Sequence, residues 1–443
     1  MSRTNHSEQG PSQQAEPLWN PVQRPAIAIL VLAMFLYGVS LIKFYVREPL
    51  AAQTGPQGPI ELALVILAGL TMLAAFRRRY WKLLLTPSAK AFAVFGAIAA
   101  VSSVFSYFPL LSFLKGFSFI LVCGIAVVAS CAFGSMHIIK YLYYSIIIIL
   151  GAGFIAKLAG AVSLMDIDDY SGRARLTLFA WHPGILADLC ALTLLSSLLL
   201  PKRPPFLCQI FLFSINIATA SRASSALLAV ILFSIGLASV RFTRRFLFLC
   251  CCMGSVLTLA LLVVVQNHYR FKDMVSIGQG LCGDKLDEDF TTLSGRKEVW
   301  NAAEPLISHS VLLGYGLDGT RDVLIKNTSW AAGNAHNSLI DLILAGGFPA
   351  MLVFLLGWAA AARHAFQSRG FLRLGALGTY AYIAGFGMVS PNLTYLQGLA
   401  SFLILTIDAM VCAELSVGER VSRTCPPWIR QRAIQQHAIG TRA

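Results

Sequence analysis

The stretch NAHNSLIDLILAGGFPAMLVFLLGWAAAA, residues 334–362, holds the change of character that decides the fold. It opens polar, at Asn334-Ala335-His336-Asn337, and turns apolar over more than the roughly 20 residues a helix needs to cross a bilayer. Gly346-Gly347-Phe348-Pro349 interrupts the run. That interruption predicts a short re-entrant or tilted piece followed by the true span. Upstream lies a hydrophilic loop from about Gln266 to Ala335, and downstream the apolar runs 374–390 and 394–414. Further upstream come nine more runs, at 26–46, 59–76, 88–106, 112–132, 139–161, 183–200, 205–220, 223–240 and 246–265. The chain therefore reads as an all-α polytopic membrane protein of about twelve transmembrane helices. The expected layout is an arm (1–24), helices 1–9 (25–265), one long loop (266–335), helices 10–12 (336–415) and a basic tail (416–443).

Composition agrees with this reading. The chain has 443 residues, 56% of them hydrophobic and 13% charged, with a mean hydropathy of +0.68. A soluble domain carries about 25% charged residues. No short apolar core with a small-residue cleavage site follows the Ser-, Gln- and Pro-rich arm, so the first span reads as a retained anchor.

The net charge of +14 does not indicate nucleic-acid binding, because its placement follows the positive-inside rule. With both termini cytoplasmic, the inner loops hold Arg77 to Arg79, Lys82 and Lys90; Lys202 and Arg203; Arg241, Arg244 and Arg245; and Arg363, Arg369 and Arg373. The tail adds Arg420, Arg423, Arg430, Arg432 and Arg442. The short outer loops near 107–111 and 391–393 have no Lys or Arg. Of ten cysteines only Cys282 falls in the long loop, so no disulfide framework is expected there. No CxxC or HExxH pattern points to a metal, and no cofactor is expected.

The long loop is mixed. Gly278 to Asp289 reads as irregular, while Ser294 to Ala303 reads as helical, with Ser294 as N-cap and Val299, Ala302 and Ala303 at helical spacing. Leu313 to Gly319 is turn-rich, and its glycines permit positive φ. Tyr315 and Trp330 suit the headgroup level.

Several cationic or titratable residues fall on the outer side. His336 sits where the loop meets the membrane and can accept a proton near neutral pH, unless it makes only an ordinary hydrogen bond there. Asn337 either orients a ligand or caps the following helix. Arg222, in a tight outer connection, either binds phosphate in bidentate fashion or snorkels to headgroups. Arg296 falls in the first turn of its helix, where it either joins the backbone N–H groups in binding an anion or is solvated. Arg173, Arg175 and His182 bracket the start of the sixth span, with His182-Pro183 marking a helix start. Arg173 has Asp166, Asp168 and Asp169 as possible partners. Lys115, Lys157, Asp188, Asp341 and Asp408 fall within spans, where ionisable groups are expensive. Asp341 is five residues beyond His336, off the ideal same-face spacing, and no role for Asp408 follows from sequence.

Taken together these residues resemble the O-antigen ligase and polymerase superfamily of bacterial envelope glycosyltransferases. The resemblance rests on Ser221-Arg222 opening a span, Ser294-Gly295-Arg296 with Trp300, Gly314-Tyr315-Gly316, and His336-Asn337 followed by Gly347. It covers most of 25–415, with its motifs concentrated in 170–350; Ala350 stands where the ligase pattern more often has Gly, Thr or Tyr. It implies a GT-C-like bundle in the bacterial inner membrane with a periplasmic active site. It implies an inverting, metal-independent ligase, with an undecaprenyl-pyrophosphate-linked glycan as donor and lipid A–core oligosaccharide as acceptor. His336 would be the general base, Asn337 and His182 supporting residues, and Arg222, Arg296, Arg173 and Arg175 the pyrophosphate ligands. An O-antigen polymerase, a protein O-oligosaccharyltransferase and a lipid-linked glycan transporter are the competing readings. No internal repeat is evident, which weighs against transport.

Overall fold

A computed structural model describes residues 86–130, 134–159, 165–167, 174–176, 178, 183–219, 221–239, 296–317, 319–328, 334–390 and 399–424. Within them the elements run α1 (Pro87–Ser102), a 3-10 turn (Ser103–Phe105), α2 (Pro109–Ala129), α3 (Ser135–Leu158), β1 (Met165–Ile167) and β2 (Ala174–Leu176). Then come α4 (Pro183–Ser197), α5 (Phe206–Ala218), α6 (Arg222–Ser239), α7 (Arg296–His309), α8 (Gly319–Asn327), α9 (Ser338–Gln367), α10 (Gly370–Gly387) and α11 (Leu399–Thr424). Nine of the twelve expected spans meet a helix. The runs 26–46, 59–76 and 246–265 lie outside the described residues. By length and composition, α1 with its 3-10 turn, α2, α3 and α9 are long and apolar enough to cross a membrane.

Local chemistry sets the boundaries. Proline opens α1, α2 and α4, where a missing N–H costs nothing and φ is already helical. Thr86 caps α1 by accepting from the Ala89 N–H. Two departures from the sequence reading stand out. A three-residue antiparallel hairpin, β1 with β2, qualifies the all-α expectation. The last helix runs on to Thr424, past the boundary expected at 415.

The bundle core forms where α1 packs between α2 and α9. Phe92 and Phe95 meet Phe354 edge-on at 4.8 and 5.2 Å, and Phe95 meets Phe119 at 5.1 Å. Small residues bring these helices close: a Cβ on Gly116 would lie 2.7 Å from the Ala100 nitrogen, and one on Gly357 2.8 Å from the Ala91 Cβ. In a bilayer, where lipid is as apolar as leucine, such packing holds helices together. Exposed apolar side chains such as Val101, Ile148, Ile155, Leu207 and Leu352 face outward, as lipid contact requires.

α9 is broken as the sequence predicts. Gly346 (φ −149°, ψ 15°) and Gly347 (φ 75°, ψ 180°) leave the helical region. Proline at 349 has no N–H to give the Ala345 carbonyl. The loop supplies replacements: Tyr315 N–H donates to the Leu344 carbonyl at 2.6 Å and Gly316 N–H to Ala345 at 2.9 Å. In return Phe348 N–H donates to the Val311 carbonyl at 2.8 Å. Broken backbone inside a membrane protein persists only when it is satisfied in this way. A Cβ on Gly347 would lie 2.4 Å from the Leu312 carbonyl, so both φ and close approach demand glycine there.

The two ends of the bundle differ. The turn after α9, the start of α10 and the α4–α5 connection gather at one end: the Arg203 guanidinium lies 5.6 Å from the Phe371 ring centre, and Gly375 meets Leu199. Lys202, Arg203, Arg363, Arg369 and Arg373 cluster there. The turn that contains His336 lies at the other end of α9.

Candidate functional site

The site grows from the start of α9. Asn337 is its N-cap: Asn337 Oδ1 accepts from the N–H groups of Leu339 at 2.9 Å and Ile340 at 3.4 Å. Capping is one of the two roles open to Asn337 from sequence. Just before it, His336 adopts φ 50°, the one positive φ at a non-glycine among the described residues. A left-handed non-glycine costs roughly 1–3 kcal/mol and persists only where its surroundings impose it.

Those surroundings are explicit. His336 N–H donates to Asn334 Oδ1 at 2.9 Å. Ala335 N–H donates to Asp341 Oδ1 at 2.9 Å, and the Ala335 carbonyl accepts from Trp300 Nε1 at 2.8 Å. Both backbone groups of Ala335 are thus held by side chains from α7 and α9. The sequence reading passed over Asp341 because the helical spacing from His336 is wrong. That spacing does not apply, since the chain reverses at His336 before the helix begins. Asp341 is 2% exposed, and its carboxylate lies in the first turn of α9, where the helix dipole favours it.

Trp300 links this turn to Arg296. α7 is described from Arg296 onward, and Ser294, the expected cap, lies outside the described residues. Arg296 lies one helical turn before Trp300, on the same face of α7. It is half-buried, and burial lowers its pKa, yet a guanidinium stays cationic across physiological pH. Val299, Ala303, Leu324, Ala335 and Leu344 form a separate small core, which fastens α7, α8 and the His336 turn to α9. α8 itself was not foreseen. Its Lys326 Nζ lies 3.2 Å from the centre of the Tyr107 ring, which joins the long loop to the short α1–α2 connection. Burial, then Tyr107, raises the pKa of Tyr315, so its phenol stays protonated and donates to the Leu306 carbonyl at 3.0 Å.

Arg222 is the first residue of α6, as expected of a span opener. Buried polar contacts tie that start to α4 and α10, and a separate bond ties the start of α9 to the end of α10. Asn216 Nδ2 donates to the Ala187 carbonyl in α4 at 2.8 Å and to Ser224 Oγ in α6 at 2.9 Å. Ser224 Oγ lies 2.7 Å from the Tyr382 hydroxyl in α10, and beyond α10 the Ser390 carbonyl accepts from Ser338 Oγ at 2.9 Å. The starts of α4, α6 and α9 therefore share one end of the bundle with α7. His182 and Arg173 are outside the described residues, though α4 opens at Pro183 as expected. In the hairpin register Arg175 stands opposite Asp166, while the pairing considered for Arg173 lies outside the described residues.

Helices long and apolar enough to cross a membrane, with exposed apolar outer faces, indicate a polytopic membrane protein. Residues 207–355 match the family model described as O-antigen ligase, a stretch that contains Arg222, Arg296, His336 and Asn337. The matched stretch, about a third of the chain, is similar to the O-antigen ligase family. No curated protein matches the chain.

Proposed function

We propose that this protein is an O-antigen ligase. It moves a glycan from undecaprenyl pyrophosphate to a sugar hydroxyl of lipid A–core at the periplasmic face of the inner membrane. The observation that carries this reading is the strained His336 turn clamped by Asp341 and Trp300, with Arg296 one turn away on the clamping helix.

His336 removes the proton from the acceptor hydroxyl, whose oxygen attacks the anomeric carbon. The C1–O bond to pyrophosphate breaks on the opposite side, so the configuration inverts. Undecaprenyl pyrophosphate leaves with the bonding pair. Arg222 and Arg296 neutralise the charge that develops on it, assisted by Arg173 and Arg175, with His182 and Asn337 in support. Fixed cations aimed at developing charge contribute about 10²–10³-fold, and a placed base about 10²–10⁴-fold. No metal is required in this scheme, because pyrophosphate is already a good leaving group. The full bundle in this reading has twelve spans in a GT-C-like arrangement, with both termini cytoplasmic.

The test is transfer by purified protein from a lipid-linked glycan to lipid A–core, wild type against His336→Ala. Product from wild type, reduced at least about 10²-fold in the variant, is the expected result. Equal product from both removes His336 as the base. Product only when a second lipid-linked glycan replaces lipid A–core identifies a polymerase instead. Arg222→Lys should keep charge but lose bidentate phosphate geometry, and full transfer by that variant at normal expression would sink its assignment.

A further inference from the structure

The end of the bundle opposite His336 carries a polar cluster that the proposed transfer does not use. Asp408, on α11, is 1% exposed. Ser88, in the first turn of α1, donates a short hydrogen bond to Asp408 Oδ2. His364, near the end of α9, places Nδ1 2.8 Å from Asp408 Oδ1. Cys412, one turn beyond Asp408 on the same face of α11, places Sγ 3.4 Å from His364 Nδ1 and 3.8 Å from Asp408 Oδ1. These three distances fix a triangle of one nitrogen, one oxygen and one sulfur. Its centre lies about 2 Å from all three atoms, close to the bond lengths of about 2.0–2.3 Å that zinc makes to such ligands.

We propose that His364, Asp408 and Cys412 bind a borderline divalent cation, Zn2+ or one of similar preference, which ties α9 to α11 beside the start of α1. The donor set argues for that class of ion. Thiolate and imidazole select zinc-like metals, whereas magnesium and calcium take oxygen ligands. Charge argues the same way. A carboxylate and a thiolate offset a divalent ion, leaving no net charge where Asp408 is buried. Ser88 is placed as an outer partner, since its hydroxyl holds the second carboxylate oxygen and thereby orients the first. Access is available too, because the His364 side chain is 21% exposed and Cys412 half-buried, so a water can complete four-fold coordination from the surface. The competing arrangement is an imidazolium–carboxylate ion pair, with the proton on Nδ1 where the metal would bind. Proton and metal compete for one lone pair, so the two states exclude each other, and metal binding releases the thiol proton.

This site stands apart from the reaction at His336, and its test does not use that reaction. Full-length protein bearing a non-histidine affinity tag is stripped with chelator in detergent and titrated with Zn2+ or Co2+ alone. Binding of about one ion per chain is expected, with a thiolate-to-cobalt charge-transfer band in the Co2+ spectrum. Cys412→Ser should abolish that band and weaken Zn2+ binding at least tenfold, while its elution profile confirms that it folds. His364→Gln reports on the imidazole by the same titration. Failure to bind either ion overturns the proposal and leaves the ion pair. Binding without the thiolate band, or binding unchanged by Cys412→Ser, also overturns it, since the ion would then be held elsewhere.

Discussion

At the scale of single residues, the His336 turn is a small assembly held under strain. Replacing Asp341 by alanine leaves the Ala335 N–H buried without an acceptor, a loss of roughly 1–3 kcal/mol. The strained φ at His336 then loses one of its restraints, so turnover should fall more than donor affinity. Asp341→Asn retains an oxygen acceptor and should recover most of the stability and part of the turnover. If Asp341→Ala folds and transfers glycan at the wild-type rate, the clamp has no functional role. Arg296 gives a second prediction, one that depends on pH. Its half-buried position lowers the pKa of whatever cation stands there, and guanidinium has ample margin while an ammonium does not. Arg296→Lys should therefore transfer at least tenfold more slowly, and its kcat/KM should decline with rising pH at a lower pH than that of wild type. Parallel pH profiles for the two proteins would exclude this account.

At the scale of elements, the break in α9 and the loop seated in it form one unit. Gly347→Ala places a methyl group against the Leu312 carbonyl and holds a non-glycine at φ 75°, so it should cost at least about 3 kcal/mol and lower the thermal midpoint in detergent. Gly151 is the matched control: it is helical, nothing lies within 4 Å of its Cβ position, and Gly151→Ala should be neutral or stabilising by up to about 1 kcal/mol. Equal effects from the two substitutions would mean that the loop does not depend on the break. Asn337 sits at the same junction, and its two possible roles separate by substitution. Serine caps as well as asparagine, so Asn337→Ser preserves stability where Asn337→Ala loses about 0.5–2 kcal/mol. Retained transfer by the serine variant assigns Asn337 to capping alone; lost transfer with retained stability assigns it to the substrate.

At the scale of the molecule, what could be read in the sequence was what repeats locally. Apolar runs marked nine described helices, glycines and proline marked the break at 346–349, and His336 and Arg296 stood out because charge is rare in such a chain. Pairings between distant segments could not be read. Backbone hydrogen bonds from Tyr315 and Gly316 to the broken helix have no side-chain signature, and His364 meets Asp408 across 44 residues of sequence. Asp341 was hidden by a helical spacing rule that fails where the chain reverses. The two-ended distribution of charge joins both levels, and it carries the last prediction. Lys202 and Asn301 are exposed, the first at the basic end and the second on α7 at the His336 end. In a cysteine-free background, Asn301→Cys should react with a membrane-impermeant maleimide in intact spheroplasts. Lys202→Cys should react only after the inner membrane is opened. The reverse pattern would turn the molecule over and place His336 on the side where no lipid A–core acceptor is expected. Labelling of both from outside would keep α7 periplasmic but break the parity of spans between them. The expected pattern puts the His336 turn on the periplasmic side and the His364 cluster on the opposite side of the membrane.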